Sequence, residues 1–459
     1  TVLEAAEAVG GVWRINRYPN VAGDTPIDLY AFSFYPGDKW STNFAPGNEI
    51  FDYMAEFADH FGVTPKIAFN TRVASAVWDD GASVWRVTGT DGRVFQGRHL
   101  IWSGGMFSTP SLPVVKGIDS FTGLSLHSTE WHDGIDLSGK RVAVVGGGAT
   151  AIQVVPYVQQ HADHLVSFVR TPSYVLPRPD ILFSPAERGT PEFAAQQRAR
   201  RIEWFNRFEV IAKSRFPMNS DIIAEQEAVW KQQFDAQVSD PHARAVLTPD
   251  YRFGCKRPLF SSAYYPAVTA DNVTLVGRGV SHLDGDSIVD VTGQRYPVDV
   301  VVWATGFRLD EMLGDVEILG RGGRNLGEEW SDVPRAYFGS MVEGFPNFFI
   351  INGPNAGGAS IGDVAEAQVA FIQRNLAEAE AQGATVIEVT PDAFEAFNAD
   401  IQRRSNSSVM VLGNCNSYYR KGGDGAVFTH WPDTIEAFQQ RIAAEGRAGL
   451  LFSTPQTVG

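Results

Sequence analysis

The stretch Arg141 to Ala151, R-V-A-V-V-G-G-G-A-T-A, decides the fold class of this 459-residue chain. Its apolar first half predicts a buried parallel strand. In the second half, Gly146 permits a tight turn, Gly148 lets the backbone approach a pyrophosphate, and Ala151 lets a helix pack closely on the strand. The stretch therefore predicts a strand, a turn and a helix whose N-terminus binds the phosphates of a dinucleotide. An ordinary glycine-rich turn is the alternative.

The residues after this turn continue the same pattern. A helix is predicted from Ala149 to Gln160 and a strand from Leu165 to Val169, which completes a βαβ unit. The strand is followed by Arg170 and not by an acidic residue, and a guanidinium suits the 2′-phosphate of NADPH better than the 2′-hydroxyl of NADH. A solvated loop charge is the other interpretation of Arg170. The candidate contacts of this nucleotide are Gly146, Gly148, Ala149, Thr150, Ala151, Gln153, Arg170 and Thr171.

Composition bounds the class of protein. Hydrophobic residues make up 44% of the chain and charged residues 20%, which is typical of a globular protein. The net charge of −15 disfavours nucleic acid and anionic membrane surfaces as partners. Cys255 and Cys415 cannot make a disulfide framework and neither is in a metal-spaced pair, so no metal site is expected. The chain has no apolar run long enough for a transmembrane helix, and cytoplasmic residence is the default expectation.

The rest of the chain alternates between sheet and helix patterns. Between about 185 and 246, Gln, Arg, Ala and Glu dominate and apolar residues recur at helical spacing, which predicts a helical insertion. An amphipathic helix is predicted near Glu49–Phe61, and strands at Ile67–Val73, Val273–Val276 and Val298–Ala304. Together these elements predict an α/β fold with two Rossmann-like, dinucleotide-binding domains and a helical insertion.

A second motif, F-T-G-L-S-L-H-S-T-E-W, runs from Phe121 to Trp131, just before the strand Arg141–Val145. The pattern F-x-G-x-x-x-H-x-x-x-W followed by a dinucleotide-binding turn resembles the signature of type I Baeyer–Villiger monooxygenases, which are class B flavoproteins. Trp131 favours this branch over flavin monooxygenases that oxygenate nitrogen or sulfur. The resemblance implies that His127, on an interdomain linker, controls domain movement. The motif positions are Phe121, Gly123, His127 and Trp131.

The segment Lys256 to Leu259, K-R-P-L, resembles the one that carries the active-site arginine of this family. By this resemblance Arg257 stabilises the anionic flavin peroxide and the developing oxyanion, and Lys256 lies nearer to the NADPH 2′-phosphate. Asp24 corresponds to the aspartate that orients the arginine. A surface Lys-Arg pair and an Asx-turn at Asp24 are the alternatives.

The remaining resemblances concern FAD and the nicotinamide. Gly10-Gly11-Val12-Trp13 is similar to the family element that flanks the flavin, and Ala304–Phe307 to a turn shared by two-dinucleotide flavoproteins. Asn414–Tyr419 resembles C-x-S-W-Y, with Tyr418 where Trp is more usual. The residues that the resemblance places at these cofactors are Glu4, Gly11, Val12, Trp13, Asp24, Tyr30, Val73, Asn355 and Tyr418.

The first residues, Thr1-Val-Leu-Glu4, resemble the end of a strand whose acidic residue binds a ribose about 20 residues beyond a glycine turn. We therefore expect the sequence to lack the first strand, turn and helix of its FAD-binding domain. The predicted domains are 1–115 and 307–459 for the two parts of the FAD-binding domain, 116–184 and 252–306 for the NADP-binding domain, and 185–251 for the helical insertion.

The resemblance spans Glu4 to about Trp431 and implies an enzyme that converts a ketone to an ester or lactone with FAD, NADPH and O2, through a C4a-peroxyflavin. Two alternatives stay open: an N- or S-oxygenating flavin monooxygenase, and a catalytically silent NADP-binding fragment if the truncation is real. The expected partners are a small-molecule ketone and O2, with no nucleic acid or membrane, and the chain is expected to be a monomer or homodimer. No motif identifies the ketone.

Overall fold

Short strands and longer helices alternate along the whole chain. The computed structural model describes residues 1–358 and 360–454. The strands are β1 (Val2–Leu3), β2 (Ile67–Ala68), β3 (Val73–Asp79), β4 (Val84–Gly89), β5 (Val94–Gly97), β6 (Leu100–Trp102), β7 (Leu124–His127), β8 (Arg141–Val145), β9 (His164–Phe168), β10 (Val175–Leu176), β11 (Leu259–Phe260), β12 (Val273–Val276), β13 (Val280–Asp284), β14 (Ser287–Asp290), β15 (Arg295–Pro297), β16 (Val300–Trp303), β17 (Glu317–Leu319), β18 (Phe348–Ile350), β19 (Val386–Val389) and β20 (Leu450–Ser453).

The helices lie between these strands and in one block in the middle of the chain. They are α1 (Val12–Ile15), α2 (Ile27–Tyr30), α3 (Gly47–His60), α4 (Ala149–His161), α5 (Pro191–Arg215), α6 (Ser220–Gln237), α7 (Pro241–Leu247), α8 (Tyr264–Val268), α9 (Leu326–Glu329), α10 (Ile361–Gln382), α11 (Pro391–Ser405), α12 (Val409–Leu412) and α13 (Ile435–Glu445).

A five-stranded parallel sheet in the order β12-β9-β8-β16-β7 carries the predicted nucleotide turn. Its strands are nearly continuous apolar runs, as expected for a parallel sheet that is covered on both faces. Val145, the last residue of β8, pairs with Phe168 on β9 and Trp303 on β16. The segments that follow these three strands therefore meet at one edge of the sheet, where ligands of such folds bind.

The other half of the molecule contains smaller sheets. Strands β1 and β2 form one parallel pair, β6 and β18 form another, and β17-β3-β4-β5 form a four-stranded sheet. The region Ile67–Val73, predicted as one strand, is divided between β2 and β3. Asn70 has a φ of 51° and turns the chain, and the N–H of Thr71 then donates to the carbonyl of Glu4.

Helices α5, α6 and α7 form the block that the sequence predicted between the two halves of the nucleotide-binding sheet. Thr190, Asn219 and Asp240 cap their N-termini by accepting backbone N–H groups. Arg200 on α5 pairs with Asp28 at 2.7 Å, and so ties this block to the N-terminal part of the chain.

Candidate active site

The turn between β8 and α4 has room for a ligand on one side only. Gly146 has a φ of 147°, and a Cβ there would lie 2.3 Å from the carbonyl oxygen of Ala304. A Cβ on Gly148, the N-cap of α4, would meet no atom within 4 Å. Ala151 is fully buried. Glycine at 146 is thus required for packing against the turn after β16, whereas the backbone at 148 is open to a pyrophosphate.

Two cations lie beside this turn. Arg170 follows β9 and is exposed, and Lys256 lies with its Nζ 5.1 Å from the ring centre of Tyr251. Burial and the positive charge of Arg170 lower the pKa of Lys256. The two cations therefore repel each other, and a phosphate held by both would remove that repulsion. Thr171 lies at the same edge, against Gly147. If residue 147 carried a Cβ, that atom would lie 2.9 Å from the carbonyl oxygen of Thr171.

Arg257 lies beside Asp24, as the resemblance implied. Its Nη2 donates to Oδ1 of Asp24 at 2.7 Å and to Oγ1 of Thr25 at 3.0 Å. The two paired side chains are 34% and 31% exposed, so they face open space and not the apolar core. Partial burial alone would lower the pKa of Arg257, but the charge of Asp24 and the nearby hydroxyls of Tyr419 and Tyr418 outweigh it and raise the pKa above its ordinary value.

The segment with Tyr418 lies next to the Arg257 loop. Tyr418 is 47% exposed and its hydroxyl donates to that of Tyr419 at 3.2 Å. Cys255 and Cys415 form a disulfide that joins this segment to the loop. Sequence reasoning did not predict this bridge, because a separation of 160 residues provides no local signal.

The residues assigned to the flavin lie at the ends of short elements near the N-terminus. Gly11 is the N-cap of α1, with a φ of 49°, and Val12 begins this helix. The indole N–H of Trp13 donates to the hydroxyl of Tyr30 at 2.8 Å. Oε1 of Glu4 accepts the backbone N–H of Ala6 at 2.8 Å. Glu4 thus orders the loop after β1 through one of its two carboxylate oxygens.

Two further residues assigned to the flavin, Val73 and Asn355, come later in the chain. Val73 begins β3. Asn355 is buried, and its Nδ2 donates to the carbonyls of Val427 and His430, each at 3.2 Å. Its Oδ1 is buried without a hydrogen-bond partner in the described part of the chain. A buried acceptor without a donor suits a ligand that brings an N–H group, such as the ring of a flavin.

The motif from Phe121 to Trp131 occupies the edge strand β7 and the following turn, where the sequence had suggested a linker. His127 is buried, with Nε2 3.2 Å from the carbonyl oxygen of Gly306. Burial lowers the pKa of His127, against the opposing effects of this hydrogen bond and of Glu130. A Cβ on Gly123 would lie 2.7 Å from the ring of Phe121. The motif is thus a packed junction with the turn after β16.

Gln153 on α4 joins the two halves of the molecule. Its Oε1 accepts the hydroxyl of Tyr18 at 3.0 Å, and its Nε2 donates to the carbonyl of Ala22 at 3.1 Å. Burial raises the pKa of Tyr18 to about 12, and the nearby hydroxyl of Thr150, one turn earlier on α4, acts in the opposite direction. The helix that begins at the nucleotide turn therefore holds the segment that leads to Asp24.

One cavity of the described structure lies apart from the predicted site. A cavity of about 450 Å³ lies between α3 and α5, lined by residues that include Trp40, Tyr53 and Phe193, and contains none of the predicted site residues. Among residues 1–358 and 360–454, no cluster of His, Cys, Asp and Glu is arranged to hold a metal ion. None of the helices in these ranges is long and apolar enough to span a membrane.

The fold and these sites define a flavoprotein monooxygenase. The sequence model of the flavin-binding monooxygenase-like family matches residues 1–316, and the chain belongs to this family. A Baeyer-Villiger monooxygenase of Streptomyces coelicolor is 36% identical over 96% of this chain and 85% of its own length. Another, from Pseudomonas aeruginosa, is 33% identical over 94% of this chain and 82% of its own. An oxidised steroid monooxygenase bound to NADP superimposes with a TM-score of 0.86 at 31% identity, over 98% of this chain and 94% of that one.

The protein is therefore a Baeyer–Villiger monooxygenase that depends on FAD and NADPH. The comparisons confirm three predictions from the sequence: the resemblance to the Baeyer–Villiger family, the cofactors FAD and NADPH, and the α/β fold with two Rossmann-like domains and a helical insertion. The roles of individual site residues and the domain limits stay predictions.

Proposed function

We propose that this protein converts a small-molecule ketone to an ester or lactone with NADPH and O2, and that Arg257 is the residue that stabilises negative charge on the reacting oxygen atoms. The observation that carries this proposal is the ion pair of Arg257 with Asp24, held by Thr25 at the open side of the Arg257 loop. A guanidinium fixed in this way stabilises charge that develops during the reaction without having to reorient. Asp24 is the positioning residue.

The nucleotide turn and the two cations beside it support NADPH as the reductant. In this proposal the N–H groups at the start of α4 hold the pyrophosphate, and Arg170 and Lys256 hold the 2′-phosphate. The candidate contacts are Gly146, Gly148, Ala149, Thr150, Ala151, Gln153, Arg170, Thr171 and Lys256. The open space at Gly148 and the mutual repulsion of the two cations support this assignment.

The residues near the N-terminus and around Asn355 support the binding of FAD. When bound and reduced by NADPH, FAD supplies the activation of O2. The residues that would hold it are Glu4, Gly11, Val12, Trp13, Tyr30, Val73 and Asn355, and Tyr418 would lie at the nicotinamide. Oδ1 of Asn355, which is buried and has no hydrogen-bond partner within residues 1–358 and 360–454, would accept a hydrogen bond from this cofactor.

The domain division predicted from the sequence belongs to the same proposal. Helices α5, α6 and α7 lie inside 185–251, and the strands of the five-stranded sheet lie inside 116–184 and 252–306. Within the described ranges, β1 pairs with β2 alone and β6 with β18 alone, whereas β9 and β16 both flank β8.

The partners in this proposal are the ketone and O2. The net charge of −15 argues against nucleic acid. We expect a monomer or homodimer in the cytoplasm, which size-exclusion chromatography with light scattering and cell fractionation would test.

The first experiment is an absorbance spectrum of the purified protein with its intact mass. A flavin band near about 450 nm would show that these residues hold FAD, and turnover of ketones with NADPH should then be measured. A colourless protein that binds NADPH would contradict FAD binding by this chain and favour the silent-fragment alternative. Exclusive oxygenation of amines or sulfides would instead favour the N- or S-oxygenating class.

A further inference from the structure

The cavity of about 450 Å³ between α3 and α5 is large enough for a small organic molecule. It lies at the surface, because Asp38, Asp52 and Gly189, which line it, are exposed. Its walls are therefore accessible to a ligand. Among the described residues that line it, none is assigned to FAD, NADPH or the ketone.

Part of the cavity wall is aromatic. Trp40, Tyr53 and Phe193 are buried and line it, and the ring centres of Trp40 and Tyr53 lie 5.1 Å apart. The indole N–H of Trp40 donates to the carbonyl of Pro36 at 2.9 Å. The hydroxyl of Tyr53 donates to the carbonyl of Tyr35 at 2.6 Å. Because these polar groups are already used, the rings offer their faces, which bind hydrocarbon and attract cations.

The rest of the lining carries negative charge. Glu49, Asp52 and Glu56 lie on one face of α3, three or four residues apart, and Asp38 lies on the loop before this helix. Among the described residues, Lys39 is the one basic residue of the lining, and it is paired with Glu56 at 2.6 Å. Asp38, Glu49 and Asp52 have no ion-pair partner within residues 1–358 and 360–454. A bound cation would relieve the repulsion between these carboxylates.

The N-terminus of α5 is the opposing electrostatic feature, because Thr190 and Ala194 also line the cavity. Its partial positive charge is about half an elementary charge. The hydroxyl of Thr190 already caps it by accepting the N–H of Phe193 at 3.2 Å, and Glu192 is in the first turn. The unpaired carboxylates therefore outweigh this partial charge, and the cavity favours a cation over an anion.

Gln197 supplies a hydrogen-bond acceptor to the same cavity. It lines the cavity and is 3% exposed. Its Nε2 donates to the carbonyl of Gly37 at 2.9 Å, which ties α5 to the loop before Trp40. Its Oε1 accepts no hydrogen bond within residues 1–358 and 360–454 and remains accessible. Since amide oxygens inside proteins are usually hydrogen-bonded, a ligand that brings an N–H group suits this position.

We propose that this cavity is a binding site for a small protonated amine with an apolar body. The aromatic rings contact the apolar body, and Asp38, Glu49 and Asp52 balance the charge. Oε1 of Gln197 accepts one N–H of the ammonium group. The site is separate from the ketone site and goes beyond the proposed function. Because α3 belongs to the predicted FAD-binding domain and α5 to the predicted helical insertion, a bound amine contacts both and stabilises the folded protein.

The test compares three probes of similar size, which are 2-phenylethylamine, 2-phenylethanol and phenylacetate. Isothermal titration calorimetry and melting temperatures are measured on the FAD-loaded enzyme without NADPH, so that no probe is turned over. We expect the amine to bind about 10-fold more tightly than the alcohol, the size of a strong cation–π contact, and phenylacetate to bind more weakly than the amine. Added salt should weaken binding of the amine, because it screens exposed carboxylates.

The charges of the lining are tested by variants with opposite expected effects. The double variant Glu49→Gln, Asp52→Asn should weaken binding of the amine about 10-fold and leave the alcohol nearly unchanged. Lys39→Met should tighten binding of the amine about two- to threefold, because Glu56 then loses its partner. Asp59→Asn is the matched control, since Asp59 is an exposed carboxylate on the same helix that does not line the cavity. It should change neither probe.

Ala194→Phe tests the cavity itself, because it fills part of the space and removes no charge. It should weaken binding of the amine and of the alcohol alike. The melting temperature without ligand reports whether each variant folds. If Ala194→Phe does not fold, the charge variants still decide the question.

Four results would overturn the inference. The amine could fail to bind at millimolar concentration. The alcohol could bind as tightly as the amine, which would mean that the cavity recognises apolar surface alone. Phenylacetate could bind most tightly, which would identify an anion site. Binding of the amine could be unchanged in the double variant, which would place the amine elsewhere. These measurements involve no turnover, so their outcome is distinguishable from failure of the proposed function.

Discussion

Asp24 and Arg257, separated by 233 positions in the chain, form a 2.7 Å ion pair between Oδ1 and Nη2 at the open side of the Arg257 loop. The pair has a direct consequence for activity. We expect Arg257→Ala to lower kcat for ketone oxygenation about 100- to 1000-fold. A loss of this size is typical when an enzyme loses one group that stabilises an oxyanion. NADPH oxidation should continue, because the nucleotide turn is unchanged. Steady-state kinetics that follow product and NADPH separately would measure this.

The variant Asp24→Asn tests the positioning role. The amide still accepts a hydrogen bond but no longer balances the guanidinium, so we expect a loss of about tenfold in ketone oxygenation, smaller than for Arg257→Ala. Arg86→Ala, at an exposed and loosely paired arginine, serves as the control. Wild-type rates in Asp24→Asn would show that the ion pair is dispensable.

Arg170 should decide between the two nicotinamide cofactors. In Arg170→Ala we expect the Kd for NADPH to rise about 10- to 100-fold, because a charge-assisted contact with the 2′-phosphate is lost, and the Kd for NADH to stay nearly constant. Equilibrium binding measured by fluorescence titration would check both values. Equal weakening of the two cofactors would contradict the assignment.

Lys256 should make NADPH binding depend on pH. Burial and Arg170 lower the pKa of Lys256, so its charge is lost at a lower pH than for an ordinary lysine. Because the protonated amine binds the phosphate, the Kd for NADPH should rise as the pH increases from about 7 to about 10, and that for NADH should not. Lys256→Arg should remove this dependence by staying charged. A pH profile of Kd that is the same in wild type and Lys256→Arg would show that another group is responsible.

The disulfide of Cys255 with Cys415 should stabilise the fold. It closes a loop of 160 residues, and the chain-entropy model assigns such a loop up to about 5 kcal/mol of the free energy of unfolding. We expect the double variant Cys255→Ser, Cys415→Ser to unfold at a lower urea concentration, and a reductant to bring the wild type to the same midpoint. If the double variant unfolds at the same urea concentration as the wild type, the bridge does not stabilise the fold, and titration of free thiols in the unfolded wild type shows whether it has formed.

The sequence by itself determined the features whose signal is local. The helix predicted at Ala149–Gln160 is α4 (Ala149–His161), and the strand predicted at Val273–Val276 is β12, because periodicity and glycine turns act within a few residues. Arg257 and Asp24 were indicated by the family resemblance of the segments that contain them; the structure pairs the two side chains, and their roles in catalysis stay predictions.

The tertiary structure decided which distant residues meet. The sequence contains no sign that Cys255 bonds to Cys415, that Gln153 holds Ala22, or that Arg215 lies beneath the Arg257 loop. The break between β2 and β3 likewise depends on the contact of Thr71 with Glu4. Such pairings depend on the order of the strands within each sheet and on how helices α5, α6 and α7 pack against the rest of the chain. That order follows from the burial of apolar surface over the whole chain, which no single segment encodes.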